Sequence, residues 1–226
     1  MSTSLIPVLS AFLLTLVAHI SARLLAKKLT GVPTVVTAII LVIALLFVFN
    51  WQFDNYYSIA SPVFDRLLGY VTVLLAIPLA SINFKGLPLK KLFWIVLIAT
   101  SVGALLPMGL AYTFALSQNT ILAFATRSVT APIGLSIAGI INSPLIMANL
   151  IISISGLLGA GFGKVILKNI EDDRAKGLAM GLVCHAFGTI EAWQISPTAG
   201  RYAAFGLAVN GLITALWVPV FISLII

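Results

Sequence analysis

Thr126, Arg127, Ser128, Thr130 and Pro132 fall within one short stretch, "ATRSVTAPIG" (125–134), of a chain that is otherwise mostly apolar. Proline lacks an N–H and suits the first turn of a helix, where that donor has no partner anyway. Thr130 stands where a capping residue belongs. The free N–H groups and the positive end of such a helix attract an anion. Arg127 adds a full positive charge, and Thr126 and Ser128 add hydroxyl donors. Together these suit a small carboxylate. The competing reading is a plain loop whose Arg127 reaches out to lipid headgroups.

A second polar constellation lies in "KGLAMGLVCHAFGTIEAW" (176–193). Gly177 and Gly181 form a small-xxx-small face for close helix packing. His185 continues that stripe and therefore faces protein, either as a structural hydrogen-bond donor or as an imidazole that changes charge near neutral pH. Gly188 and Thr189 mark a break, with Thr189 placed to cap a following helix start. Glu191, just beyond, reads as a dipole partner, a proton carrier or a partner for an arginine, against the plainer reading of a carboxylate at the water interface. Asn210 is mid-span and suited to hydrogen-bond across helices. Gly156, Gly159 and Gly163 read as a packing surface. His19 falls near a helix end, Asp65 and Arg66 near another, and Trp51, Tyr56 and Tyr57 read as an interfacial aromatic belt.

These residues need an environment, and the composition names it. Hydrophobic residues make up 61 %, charged residues 8 %, and the mean hydropathy is +1.15. A water-soluble domain carries about 25 % charge, so lipid is the solvent here. Runs such as "VVTAIILVIALLFVF" do not alternate apolar and polar residues, which excludes a β-barrel and leaves α-helices. The fold class expected is an all-α, polytopic transmembrane bundle forming one membrane domain over 1–226. The net charge of +7 follows from Lys and Arg in loops rather than from nucleic-acid binding. The single cysteine, Cys184, excludes an internal disulfide and a thiolate metal cluster, and no cofactor or metal is expected. The first apolar run has Arg23 after it and no basic residue before it, so it reads as a retained span with its N-terminus outside.

Spans are expected at 5–25, 33–50, 63–82, 92–116, 118–141, 144–167, 174–195 and 201–225. The joints are Gly31 and Pro33, Ser61-Pro62, Gly86 and Pro88, Ser143-Pro144 and Ser196-Pro197. If all of them crossed, the basic loop at 164–176 would fall outside, against the positive-inside rule. The conflict disappears if 118–141 dips in and returns, the alternative being a discontinuous helix that still crosses. Each half of it is about 12–15 Å of helix, enough to reach the midplane. The segment 174–195 is interrupted too. Two broken segments are the sequence sign of a transport site built from half-helix ends, with an inverted repeat suspected.

With "TRSVTAPI", "GLLGAGFG" and "AKGLAMGLVCHAFGT" in view, the chain resembles the LrgB/CidB family of bacterial membrane proteins, closely over 70–226 and by hydropathy before that. It is also similar to the LrgB-like domain of the plastidial glycolate/glycerate translocator. The resemblance implies uptake or exchange of small monocarboxylates of the pyruvate, glycolate or glycerate class, often with a small LrgA/CidA-type membrane subunit; for such a transporter, coupling to a proton or another ion is expected. It equally carries an older label, a holin-like protein modulating murein hydrolases and autolysis.

Ser128, Val129, Thr130, Pro132 and Ile133 match the family's first motif, and His185, Gly188 and Thr189 match its last. Arg127 stands where the family has lysine and Ala131 where it has a second threonine. Family members often have a basic residue at the position of Glu191 and an acid at Gln194. On this reading Thr126, Arg127, Ser128, Thr130, Pro132, His185, Gly188 and Thr189 bind substrate, and His185, Glu191 and Asn210 couple or gate. A homo-oligomer in the bacterial inner membrane is expected. No enzyme is expected: Ser128 and His185 could form a dyad only on paper, since Gly-x-Ser-x-Gly and His-Glu-x-x-His are absent.

Overall fold

The computed structural model describes residues 5–26, 34–74 and 85–225, and every regular element among them is a helix. The chain divides into two compact units, residues 1–73 and 74–226.

The first unit holds α1 (Leu5–Ala26), α2 (Thr34–Val48) and α3 (Phe53–Leu74). Its core is Ala11 and Leu14 of α1, Leu46 of α2, and Tyr56 and Ala60 of α3. The Tyr56 hydroxyl lies 2.8 Å from Thr15 Oγ1, and its ring meets Trp51 edge-on at 6.0 Å. Tyr56 is therefore a core residue and not part of an interfacial belt. Tyr57 is exposed, as a belt residue would be. Pro62 sits inside α3 and does not end a helix. A proline forfeits one backbone hydrogen bond but keeps a helical φ, and membrane helices accommodate it. The expected joint at Gly31 and Pro33, and the part of the span 63–82 beyond 74, lie outside the described residues.

The second unit holds α4 (Leu89–Thr113), α5 (Gln118–Phe124), α6 (Ala131–Ile140), α7 (Leu145–Ile166), α8 (Asp173–Ile195) and α9 (Pro197–Ile225). Gly86, at φ 77°, makes the turn before α4 that its sequence position suggests. With α1, the helices α4, α7 and α9 are long and apolar enough to cross a membrane. A hydrocarbon core of about 30 Å needs roughly 20 helical residues. The chain is thus a multi-span membrane protein. Arm by arm, α5, α6 and the two halves of α8 reach only to the middle.

α5 and α6 form a hairpin that returns to its own side. Gln118 and Asn119, where α5 begins, line one cleft with Ile140, Ile141 and Asn142, where α6 ends. Between mouth and tip, Leu122 and Ala125 pack with Ile137 and Ile141, and Ala123 packs with Ala138. The reading of 118–141 as a dip rather than a crossing holds.

α8 is a second hairpin, although its helical pattern continues through the turn. His185 has φ 41° and ψ −128°, a non-helical conformation that breaks α8 in two. The second arm folds back on the first: Gly188 rests on the Met180 carbonyl and Met180 packs with Ala192. Both arms end where α7 ends, because Glu191 and Gln194 reach Lys164 and Ile195 packs beside Leu167. The break falls at His185, not at Gly188-Thr189 as the glycine suggested. Gly188 instead serves the close approach of the arms, where a Cβ would stand 2.6 Å from the Cys184 Cβ.

Three crossing helices frame the two hairpins, which enter from opposite ends. α9 lies on the second hairpin with its first half, Ala199 under Gly177 and Ala203 under Gly181, and on the first hairpin with its second half, Val218 and Ile222 beside Ile137 and Ile141. α7 places Gly156, Gly159 and Gly163 against His185, Cys184 and Met180. The expected packing surface of "GLLGAGFG" is thereby accounted for. The order crossing helix then hairpin occurs as α4 with α5–α6 and again, inverted, as α7 with α8.

Candidate functional site at the hairpin tips

The two tips meet at Asn210, halfway along α9. Its side-chain nitrogen donates to the Ser128 carbonyl of the first tip at 2.7 Å and to the Leu182 carbonyl of the second hairpin at 3.2 Å. Its side-chain oxygen accepts from Thr100 Oγ1 of α4 at 2.7 Å and from Thr214 Oγ1 at 3.4 Å. Such irregular backbone is tolerated at membrane depth only where protein buries it or it lines a cavity. Here Asn210 supplies the partner that the two carbonyls would otherwise lack.

Around this junction the first tip carries the chemistry. Arg127 is half-buried and donates from Nε to the Gly103 carbonyl, midway along α4, at 3.0 Å. Among the described residues no carboxylate pairs with the Arg127 guanidinium. The Gly103 carbonyl holds the guanidinium beside the middle of α4, away from its ends. The hydroxyls of Ser128 and Thr130 are buried and have no hydrogen-bond partner among the described residues. Buried polar groups in proteins are nearly always satisfied, so these two hydroxyls stand out, close in the chain to a cation that no carboxylate neutralises. Ser128 Oγ faces Gly103, where a Cβ would stand only 3.7 Å away.

The remaining candidates fall into place individually. Thr130 occupies the N-cap position of α6 with extended backbone, and Pro132 sits in the first turn, but the Thr130 hydroxyl does not cap: no hydrogen bond links it to the helix. The first turn is closed instead by Gly134 N–H donating to the Thr130 carbonyl at 2.8 Å. Thr126 donates to the Ala123 carbonyl at 3.3 Å and is spent on the turn. His185 Nε2 is 3.2 Å from the Ile152 carbonyl, which can only accept, so the proton is on Nε2 and the ring is a structural donor pinning the second tip to α7. Thr189 does not cap a new helix either; its hydroxyl donates to the His185 carbonyl at 2.9 Å, serving the acceptor freed by the break. Glu191 is away from the tips, ion-paired with Lys164 at 2.6 Å near the α7 terminus.

The ends of this unit differ in charge. Lys91 and Arg174 line one cleft of about 460 Å³ with Tyr202 and Leu182, and Arg201 donates to the Lys85 carbonyl at the same end. Lys164, Lys168 and Lys176 flank the α7–α8 connection there. The opposite end, with Gln118, Asn119, Asn142 and Ser223 around a cleft of about 420 Å³, shows no charged side chain in that cleft among the described residues. At the basic end Asp172 caps α8, accepting from Arg174 N–H at 2.9 Å. The Arg174 side chain first, and its backbone N–H second, hold the Asp172 carboxyl down at about 2.

A helical membrane protein with two opposed half-depth hairpins meeting at a buried polar junction is the class that fold and site define. The chain belongs to the LrgB-like family, whose model matches residues 15–224. It is 28 % identical over 221 residues to the holin-like protein CidB of Staphylococcus aureus strain Mu50, covering 94 % of each chain. It is 28 % identical over 199 residues to an uncharacterized protein of Haemophilus influenzae, covering 85 % of this chain and 84 % of that one. It is 25 % identical over 228 residues to the uncharacterized protein YwbG of Bacillus subtilis, covering 96 % and 98 %. No solved structure gives a significant match.

Proposed function

We propose that this chain is a secondary transporter of small monocarboxylate anions, with the anion held at the first hairpin tip by Arg127, Ser128 and Thr130 and by the N-terminal end of α6. One observation carries the reading: a guanidinium without a carboxylate, beside two buried hydroxyls without partners, at the meeting point of two half-depth hairpins. Charge at that depth is costly and belongs to function. Half-helix ends at the midplane are how transporters hold charged cargo. His185 and Glu191 are spent on structural partners, so the ion that couples transport is not assigned to either. The basic end faces the cytoplasm by the positive-inside rule, in the inner membrane of a bacterial cell. An LrgA/CidA-like subunit and a homo-oligomer remain the expected assembly, and no catalysis is expected.

The second reading is a holin-like pore or regulator of murein hydrolases, and the name of the Staphylococcus relative, a holin-like protein, favours it over any particular substrate. Proteoliposomes separate the two. Saturable uptake of labelled pyruvate or glycolate, competed by other monocarboxylates, reduced but not lost in Arg127→Lys and abolished in Arg127→Ala, is the expected result. Non-saturable release of dyes of several sizes, or uptake indifferent to Arg127→Ala, overturns it in favour of the pore.

A further inference from the structure

We propose that Asn210 is a common latch for both hairpins, and that this one carboxamide keeps the anion path a carrier instead of a pore. The inference rests on the transporter reading and assigns the regulation of its site.

A primary amide has two hydrogens to donate and one oxygen with two lone pairs. Asn210 commits all of them. One hydrogen goes to each hairpin, to Ser128 on the first and Leu182 on the second, while the oxygen is tied to Thr100 and Thr214 on crossing helices. The side chain is buried, 1 % exposed, so water is absent as a substitute partner in this state. Each cleft approaches the junction through one hairpin. The basic-end cleft reaches Leu182, and the opposite cleft runs along the arms of α5 and α6 at Leu122 and Ile141. Movement of either hairpin away from α9 therefore breaks one hydrogen bond of the same planar group. Water entering with the opened cleft takes over the freed hydrogen, so each movement loses the net value of one hydrogen bond and is disfavoured by about three- to tenfold. Moving both hairpins incurs the two penalties together, and frees an amide that could otherwise turn to improve whichever bond remains. A path open at both ends is thereby made rare.

Cys184, at the second tip and buried under Gly159, reports on this without any transported substrate. In liposomes, Asn210→Ala is expected to raise sucrose leak at least about tenfold, to remove saturation from anion uptake, and to speed maleimide labelling of Cys184 by a similar factor. A folded Asn210→Ala protein with wild-type sucrose retention and wild-type labelling overturns the latch. Thr100→Val, which removes one tie on the oxygen and leaves both donors, covers the case in which Asn210→Ala does not fold. It is expected to give an intermediate increase in leak and labelling, and unchanged values overturn the proposal. Failure of the transporter reading looks different: wild-type protein would then show no saturable anion uptake, whatever the Asn210 variants do to Cys184.

Discussion

Gly181→Ala tests the architecture with one methyl group. A Cβ at Gly181 would stand 2.7 Å from both the Cα and the carbonyl carbon of Ala203, and closer still to the Ala203 carbonyl oxygen. These are backbone atoms, so no side-chain rotation relieves the clash. Ordinary van der Waals separation requires α8 and α9 to part by roughly 1 Å, which forfeits a quarter to a half of the dispersion energy along the interface. Overpacking of this kind costs about 1–3 kcal/mol. Gly161 in α7 is the control, because a Cβ there meets nothing within 4 Å. Gly161→Ala should be neutral, or more stable by up to about 1 kcal/mol from helix propensity. Unfolding in mixed micelles by SDS titration, followed by Trp fluorescence, reads the difference directly. Equal stability of Gly181→Ala, Gly161→Ala and wild type would refute the claim that the first arm of the second hairpin lies in backbone contact with α9.

Two further expectations concern the tip and the basic end. Ser128→Ala and Thr130→Val remove buried hydroxyls that have no protein partner, so each should leave stability unchanged or raise it by about 1 kcal/mol while raising the KM for anion uptake by roughly tenfold; a loss of thermal stability with unchanged KM would show that the hydroxyls serve the fold. Asp172 titrates at about 2 because Arg174 binds its charged form. A carboxyl lowered on folding contributes fully above its ordinary value of 3.8 and loses that contribution as pH falls through about 2. Amide exchange in the first turn of α8 should therefore stay slow at pH 5 and rise, relative to the rest of α8, between about pH 4 and 2. An Asp172→Asn protein should lack that transition; its persistence would place the titrating group elsewhere.

The two hairpins were unequally legible. The first announces itself twice, by a polar run between two short apolar halves and by the side on which Lys164, Lys168, Arg174 and Lys176 must lie. The second hides. Its turn residue is His185, a type that does not advertise positive φ as glycine does, and Gly188 drew the break toward itself although it serves packing. Glu191 left several roles open, from dipole partner or proton carrier to plain interfacial carboxylate, because its partner, Lys164, is distant in sequence. Thr130 and Thr189 have the residue type of caps, but the first hydroxyl is left free and the second turns to a carbonyl. Residue type permits such roles, and the geometry of the neighbouring helix chooses among them.

Lipid as solvent, the helical class, the broken segment at 118–141 and the cluster of a cation and hydroxyls around Arg127 follow from composition and local pattern alone, because hydration and helix-end polarity are properties of short stretches. The meeting of the tips does not. Asn210 is 28 residues from Leu182, 82 from Ser128 and 110 from Thr100, and no local rule says which of many carbonyls a buried amide will find. Only the packing of α9 along both hairpins, with glycines at 177 and 181 allowing backbone to touch backbone, brings those partners within hydrogen-bond reach.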